Sequence, residues 1–211
     1  MSKVIGFVDG FNMYHAIMRQ SFAKGQSLGH YRWLDYWQLI QSFLRGDDSL
    51  EGVYLFTAYA DWNPAKKVRH KTLVRVNRDR GVTVVFGKFR RVSRNCRACR
   101  STYYTYEEKR TDVNIAVTML KLAVTNDFDK AILVSADSDL LPAIRTIKEL
   151  RPYVQVAVVT PIGLSGQALA HAADLHLRMN RNHLNKAILP PMVQLKDGSL
   201  INCPQEWIAH G

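Results

Sequence analysis

Ala131-Ile132-Leu133-Val134-Ser135-Ala136-Asp137-Ser138-Asp139 is the stretch on which the fold of this chain turns. It starts as a short apolar run with β-branched members, which reads as a strand buried on both faces, as in a parallel sheet. It ends in two carboxylates two positions apart. They fall at the strand's carboxyl end, the edge where ligands bind in open α/β sheets. Leu141, Ile144 and Ile147 then recur at helical spacing and complete a strand–loop–helix unit.

The same pattern opens the chain. Val4 to Val8 is an apolar strand running into Asp9-Gly10-Phe11-Asn12, followed by Phe11, Tyr14, Ile17, Met18 and Phe22 on one helical face. Taken alone, Asp9 reads as a turn or cap residue. After a polar loop over Lys24 to Tyr31, a helix is expected from Leu34 to Leu44, with Trp37, Ile40 and Leu44 inward. Val53 to Ala60 is a strand. Asn63 as cap and Pro64 at the first helical position start a helix that ends at Gly81, basic outside and lined by Val68, Thr72 and Val76. Val82 to Phe86 is the third strand. Glu107 to Val124 reads as the longest helix, with Val113, Val117, Leu120 and Val124 inward and Asp112 in its first turn. Val154 to Val159 and Leu175 to Leu177 supply further strands, and Asp174 reads as a structural acceptor.

Two segments break the rhythm. Gly87 to Tyr106 carries Lys88, Arg90, Arg91, Arg94, Arg97 and Arg100, then Tyr103, Tyr104 and Tyr106. Arginines supply phosphate contacts and tyrosines supply faces for stacked bases, so this reads as a hairpin that holds nucleic acid, or else as a mobile arginine-rich hairpin with two free thiols. Cys96 and Cys99 lie inside it. A closed zinc site needs four ligands, and only Cys203 and scattered histidines could add to the pair. The second segment is the tail from Asn180, where Asp197-Gly198 suggests a hairpin turn and Trp207 an anchor. The domain reading is therefore one α/β domain over 1–179, with residues 87–106 inserted, and a C-terminal tail over 180–211 packing on it.

Lysine and arginine number 29 against 18 acidic residues, a formal net charge of +11 over 211 residues. Such an excess suits a polyanionic partner, nucleic acid rather than membrane, since no stretch reads as a basic amphipathic anchor or a membrane span. Three cysteines argue against a disulfide framework, and the strand pattern begins at once after Met1, so a reducing cytoplasm is expected.

Alternating strands and helices predict a parallel sheet with helices on both faces. With right-handed crossovers, the first strand lies beside the strand ending at Asp137, and Asp9, Asp137 and Asp139 meet where the sheet changes direction. The helix start bearing Asp112 can close the crevice. Converging carboxylates are tolerable when a cation neutralises them or their pKa values rise. Oxygen donors select a hard ion, Mg²⁺ or Mn²⁺. No G-x-G-x-x-G follows a strand, and neither a P-loop nor a G-x-S-x-G elbow is present.

Phe7-Val8-Asp9-Gly10-Phe11-Asn12-Met13-Tyr14, Lys109-Arg110-Thr111-Asp112-Val113 and Ser135-Ala136-Asp137-Ser138-Asp139 resemble, in order, the three signatures of the NYN domain, a family of PIN-like nucleases. The resemblance runs from about Val4 to about Leu177. It implies a PIN-like three-layer α/β/α sandwich and divalent-metal-dependent cleavage of RNA. By position it implies Asp9, Asp112, Asp137 and Asp139 as metal-binding catalytic acids, with Asn12 and Ser135 as polar supports. Lys109 and Arg110 beside Asp112 could offset phosphate charge. The leading expectation is an endoribonuclease using Mg²⁺ or Mn²⁺. A non-catalytic RNA-binding or adaptor protein is the alternative, and a phosphatase acting on a small nucleotide a third reading. Exchange of the hairpin or tail between subunits would give a homodimer.

Overall fold

The computed structural model describes residues 1–24 and 28–208, with side chains given for all of these except 21–24. Part of the expected loop (residues 25–27) and the side chain of Phe22 therefore lie outside the described residues. The core is one six-stranded, wholly parallel sheet. Its strands are β1 (Ser2–Asp9), β2 (Asp48–Thr57), β3 (Thr83–Phe86), β6 (Lys130–Val134), β7 (Gln155–Thr160) and β8 (Leu175–Arg178), in the order β3-β2-β1-β6-β7-β8. The chain winds outward from β1 in one direction and from β6 in the other. The switch lies between these two neighbours, as the sequence predicts, with Val8 paired to Val134.

Strand alternation sorts the apolar residues into two cores. Val4 and Val8 of β1 and Ile132 and Val134 of β6 face α1 (Gly10–Lys24), α2 (Tyr36–Gln41), α3 (Pro64–Asp79) and α7 (Arg181–Ala187). Ile5 and Phe7, with Ala131 and Leu133, face α4 (Thr111–Val124), α5 (Leu141–Leu150) and α6 (Gln167–Ala172). The result is the predicted three-layer sandwich. Beyond β8, α7 and a small antiparallel pair, β9 (Met192–Gln194) with β10 (Leu200–Asn202), complete the first core, with Trp207 buried in it. Asp174 accepts hydrogen bonds from Lys148 and from the backbone N–H of Val156.

Four helix readings need correction. Residues 107–110 are not helical: β4 (Lys88–Asn95) and β5 (Thr102–Lys109) pair antiparallel over their full lengths, and Arg110 at φ 81° ends the ribbon before α4 starts. The inward row of α4 is Thr111, Ile115, Met119 and Ala123, whereas Val113, Val117 and Val124 are exposed. Helix α4 carries two apolar rows, and Ile115 and Met119, larger than the valines, take the buried one, where each contributes about 1.5–3 kcal/mol. In α3, Leu73, Val74, Val76 and Asn77 are buried and Val68 is exposed. Similarly, α1 turns Met13, Ala16 and Ile17 inward and leaves Phe11 and Tyr14 exposed at the edge of the sheet. Helix α2 is shorter than expected, with Tyr36, Leu39 and Ile40 buried and Trp37 only partly so.

Candidate active site

The alternation that sends Ile5 and Phe7 toward α4 carries Asp9 to the same side, and on β6 it carries Ser135 there after Leu133. Both are buried, Asp9 with 3 % of its surface exposed and Ser135 with none. They hydrogen-bond directly: Ser135 Oγ donates to Asp9 Oδ2 at 3.0 Å. The other Asp9 oxygen accepts the backbone N–H of Asn12 at 2.9 Å, so Asp9 also caps α1. The Asn12 side chain reaches across to accept the N–H of Ala136 at 3.2 Å. The N–H of Asp137 returns to Ser135 Oγ at 3.1 Å, and Asp137 Oδ1 accepts the N–H of Asp139 at 3.0 Å. One network thus stitches the end of β1, the start of α1 and the loop after β6. Gly10 is needed within it: a Cβ there would lie 2.8 Å from the carbonyl oxygen of Phe56 on β2. Only glycine lets α1 begin so close to the neighbouring strand.

Asp112 comes from the opposite side, in the first turn of α4. The helix start is held by Glu108, whose carboxylate accepts from the N–H and hydroxyl of Thr111. Burial pushes the Asp112 carboxyl up to about 6, with Asp137, Glu108 and Asp139 adding like charge. Asp9 is also raised to about 6. Burial is the main cause, opposed by the hydrogen bonds from Asn12 and Ser135, and the charges of Asp112 and Asp137 raise it further. Asp112 is thus within electrostatic reach of Asp9, Asp137 and Asp139, and Asp9 of Asp137. They do not form a closed cage: among the described residues no three His, Cys, Asp or Glu groups stand close enough together to hold a metal ion. The donor set fits a hard divalent ion, being all oxygen, and the mutual repulsion of its carboxylates is what such an ion relieves. Glu108 is a fifth acid that the sequence reading passed over, although it lies beside the second motif.

Of the ten predicted RNA-contacting residues, eight lie in their own element, the β4–β5 ribbon and its turn, and Lys109 and Arg110 at its end, just before Asp112. Lys88, Arg90, Arg91, Arg94, Arg97, Arg100, Tyr103, Tyr104, Lys109 and Arg110 are all exposed. Arg91 lies over the Tyr104 ring at 3.5 Å, while Glu107 holds Arg94 and, at 3.2 Å, Lys109. Cys96 and Cys99 sit in the hairpin turn, where a hydrogen bond with Ser101 lowers the Cys99 thiol to about 7. Cys203 is buried in the first core.

On the α1/α3 side of the same sheet edge lies a cavity of about 320 Å³. Its walls include Phe11, Trp62, His70, Phe89 and Tyr106, with Arg32 and Arg69 among its polar groups. From the sequence, Tyr106 reads as a stacking face of the hairpin and Arg69 as part of the basic helix α3; the others carry no site reading, because they come from segments far apart in the chain. Burial drops His70 to about 4, so its ring, hydrogen-bonded to Thr57 Oγ1 at 3.1 Å, is neutral at physiological pH.

A sequence profile of the NYN domain matches residues 3–180. Among curated proteins, the 6-hydroxy-3-succinoylpyridine 3-monooxygenase HspA of Pseudomonas putida is 25 % identical over an alignment covering 87 % of this chain and 67 % of that protein. Among solved structures, a protein of unknown function from Vibrio parahaemolyticus superimposes with a TM-score of 0.55 at 21 % identity, over 89 % of this chain and 96 % of its own. That likeness shows the fold alone.

Proposed function

This chain belongs to the NYN domain family, whose fold is nuclease-like, and from that premise we propose that it is a divalent-metal-dependent endoribonuclease. The observation that carries the reading is the partly buried network joining Asp9, Asn12, Ser135 and Asp137, which holds acids from remote segments at one strand edge. Two of the four acids, Asp9 and Asp112, have carboxyls raised to about 6, first by burial and then by the charge of neighbouring acids. Asp9, Asp112, Asp137 and Asp139 would hold Mg²⁺ or Mn²⁺. An ion bound there would make water a better nucleophile at neutral pH and offset charge on the phosphate oxygens.

The chain's own residues supply the rest. Ser135 and Asn12 fix the Asp9 carboxylate and the loop bearing Asp137, so neither acid has to be ordered when substrate arrives. Glu108 fixes the N-terminus of α4 and so the position of Asp112. The ribbon residues Lys88, Arg90, Arg91, Arg94, Arg97, Arg100, Tyr103 and Tyr104 hold the strand through phosphates and bases. Lys109 and Arg110 stand just before Thr111 and Asp112, where they offset phosphate charge at the crevice.

A second reading, an RNA-binding or adaptor protein that retains the acidic crevice without cutting, is favoured by the lack of a closed three-ligand set among the described residues. Incubation of labelled single-stranded and hairpin RNA with Mg²⁺ or Mn²⁺, against an EDTA control, separates the two. The nuclease reading expects metal-dependent products that Asp137→Asn abolishes. That variant spares the fold, because its amide oxygen can still accept the N–H of Asp139. Full turnover by Asp137→Asn rejects the site, and RNA binding without products supports the adaptor.

A further inference from the structure

The acidic crevice leaves unexplained the cavity on the other side of the same edge and the row of aromatic rings leading into it. Tyr106 stacks on Trp62, with ring centres 3.8 Å apart and planes within 6°. Trp62 meets Phe89 edge-on at 4.6 Å, and Phe89 meets Phe11 at 5.9 Å. Phe11, Trp62 and Tyr106 each leave more than a third of their surface exposed. A contiguous exposed aromatic surface is costly in water and marks a binding site.

The cations are placed as deliberately as the rings. Arg69 is paired with the Glu206 carboxylate at 2.7 Å, and Arg32 donates to the Glu206 carbonyl at 3.1 Å while lying over the Trp207 ring at 5.5 Å. One C-terminal residue thus holds two guanidinium groups at the cavity wall. Trp207 lines the cavity too, and its buried Nε1 has no hydrogen-bond partner among the described residues. His70, neutral at physiological pH, adds ring surface without charge. Aromatic faces and two fixed guanidinium groups together select a planar ring carrying an anionic group. A volume of about 320 Å³ is at the small end of ligand pockets, enough for one such ring system.

The ribbon decides which planar anion. Phe89 faces Glu108 across the strands, Arg91 faces Tyr106, and Ser93 faces Tyr104. Directly opposed residues share a face, so the face that brings Phe89 and Tyr106 to the cavity continues outward with Arg91 and Tyr104. A guanidinium group and a ring that run on beyond the cavity fit a chain of bases and phosphates, where an isolated aromatic acid would need only the cavity. The inner end of the row is equally placed: Gly10 lines the cavity and directly follows Asp9.

We propose that this cavity is a nucleotide subsite, taking one unstacked base of single-stranded RNA among Phe11, Trp62, Phe89 and Tyr106 with an adjoining phosphate on Arg32 and Arg69. It deepens the nuclease reading and rests on it for the identity of the polymer. Seated there, the base fixes which linkage of the strand crosses the edge toward Asp9.

The test is made in EDTA, so that binding is read without any cleavage. A labelled single-stranded oligoribonucleotide is titrated by anisotropy. Adenosine and uridine 5′-monophosphates are titrated by the fluorescence of Trp62 and Trp207. Nicotinate serves as a small aromatic acid. Both nucleotides are expected to quench the tryptophans. Phe89→Ala and the more exposed Tyr106→Ala are each expected to weaken oligonucleotide binding about tenfold. Arg69→Gln is expected to weaken it with circular dichroism unchanged. Oligonucleotide affinity that survives both Tyr106→Ala and Arg69→Gln overturns the subsite, as does quenching by nicotinate with none by either nucleotide. Loss of cleavage with these binding results intact counts against the nuclease reading and leaves the subsite standing.

Discussion

Replacing Asp9 with asparagine should make the metal-free protein more stable at neutral pH, although it removes a carboxylate from the heart of the site. The carboxyl is 3 % exposed and ionises near 6 in the folded chain, against 3.8 for the free side chain. Holding it ionised in the fold therefore costs about 3 kcal/mol, at roughly 1.4 kcal/mol per pH unit. The sign follows from linkage: a carboxyl raised on folding is a penalty fully present above about pH 6, and relieved as pH falls toward 3.8. Asparagine carries no charge, and its amide oxygen can still accept the N–H of Asn12. Its NH₂ must use Ser135 Oγ as an acceptor, which returns part of the gain. The expected net gain is about 1–3 kcal/mol at pH 8 in EDTA, a rise of roughly 3–10 °C in melting temperature for a domain this size. The gain should shrink at pH 4.5. The assay is thermal and urea denaturation of wild type and Asp9→Asn at both pH values. A variant less stable than wild type at pH 8, or a difference that ignores pH, would refute this account of the buried charge.

Two further substitutions probe the framework around the acids. Ser135→Ala removes the hydroxyl that donates to Asp9 and accepts from Asp137, leaving both unsatisfied in a buried site; a loss of about 1–3 kcal/mol in urea unfolding is expected. Gly87→Ala places a methyl group 2.6 Å from both Glu108 Oε1 and Thr111 Oγ1, so it should cost about 1–3 kcal/mol and reduce RNA cleavage by moving the start of α4, both read on the same purified variant.

The sheet was legible because its strands are short apolar runs that end in marked residues. Val8-Asp9 and Val134 to Asp137 gave the pairing of β1 with β6, and parallel packing then left little freedom for the order of the others. The approach of Asp112 to that edge could also be read, since an acid in a first turn points to where its helix begins. What was illegible depends on facing choices that periodicity leaves open. Helix α4 offers a valine row and an Ile115–Met119 row at the same spacing, and only the volume to be filled under it selects the second. Glu107 and Glu108 looked like the opening turn of a helix, yet pairing with β4 draws them into a ribbon. Apart from Tyr106 in the hairpin, the aromatic cavity had no local signal: Arg32, Trp62, Phe89 and Trp207 belong to four separate segments, and only folding collects them. Phe11 and Tyr14 fitted a core-facing row well enough that their exposure at this edge carried no mark in the sequence.

The central claim is that acids from remote segments gather a divalent ion at one strand edge. Electron paramagnetic resonance of free Mn²⁺, titrated into metal-free protein at pH 7.5, tests it without reference to any substrate. Wild type is expected to deplete the free-ion signal and Asp9→Asn and Asp137→Asn to leave most of it. Equal depletion by all three proteins, or none by wild type, would contradict the claim.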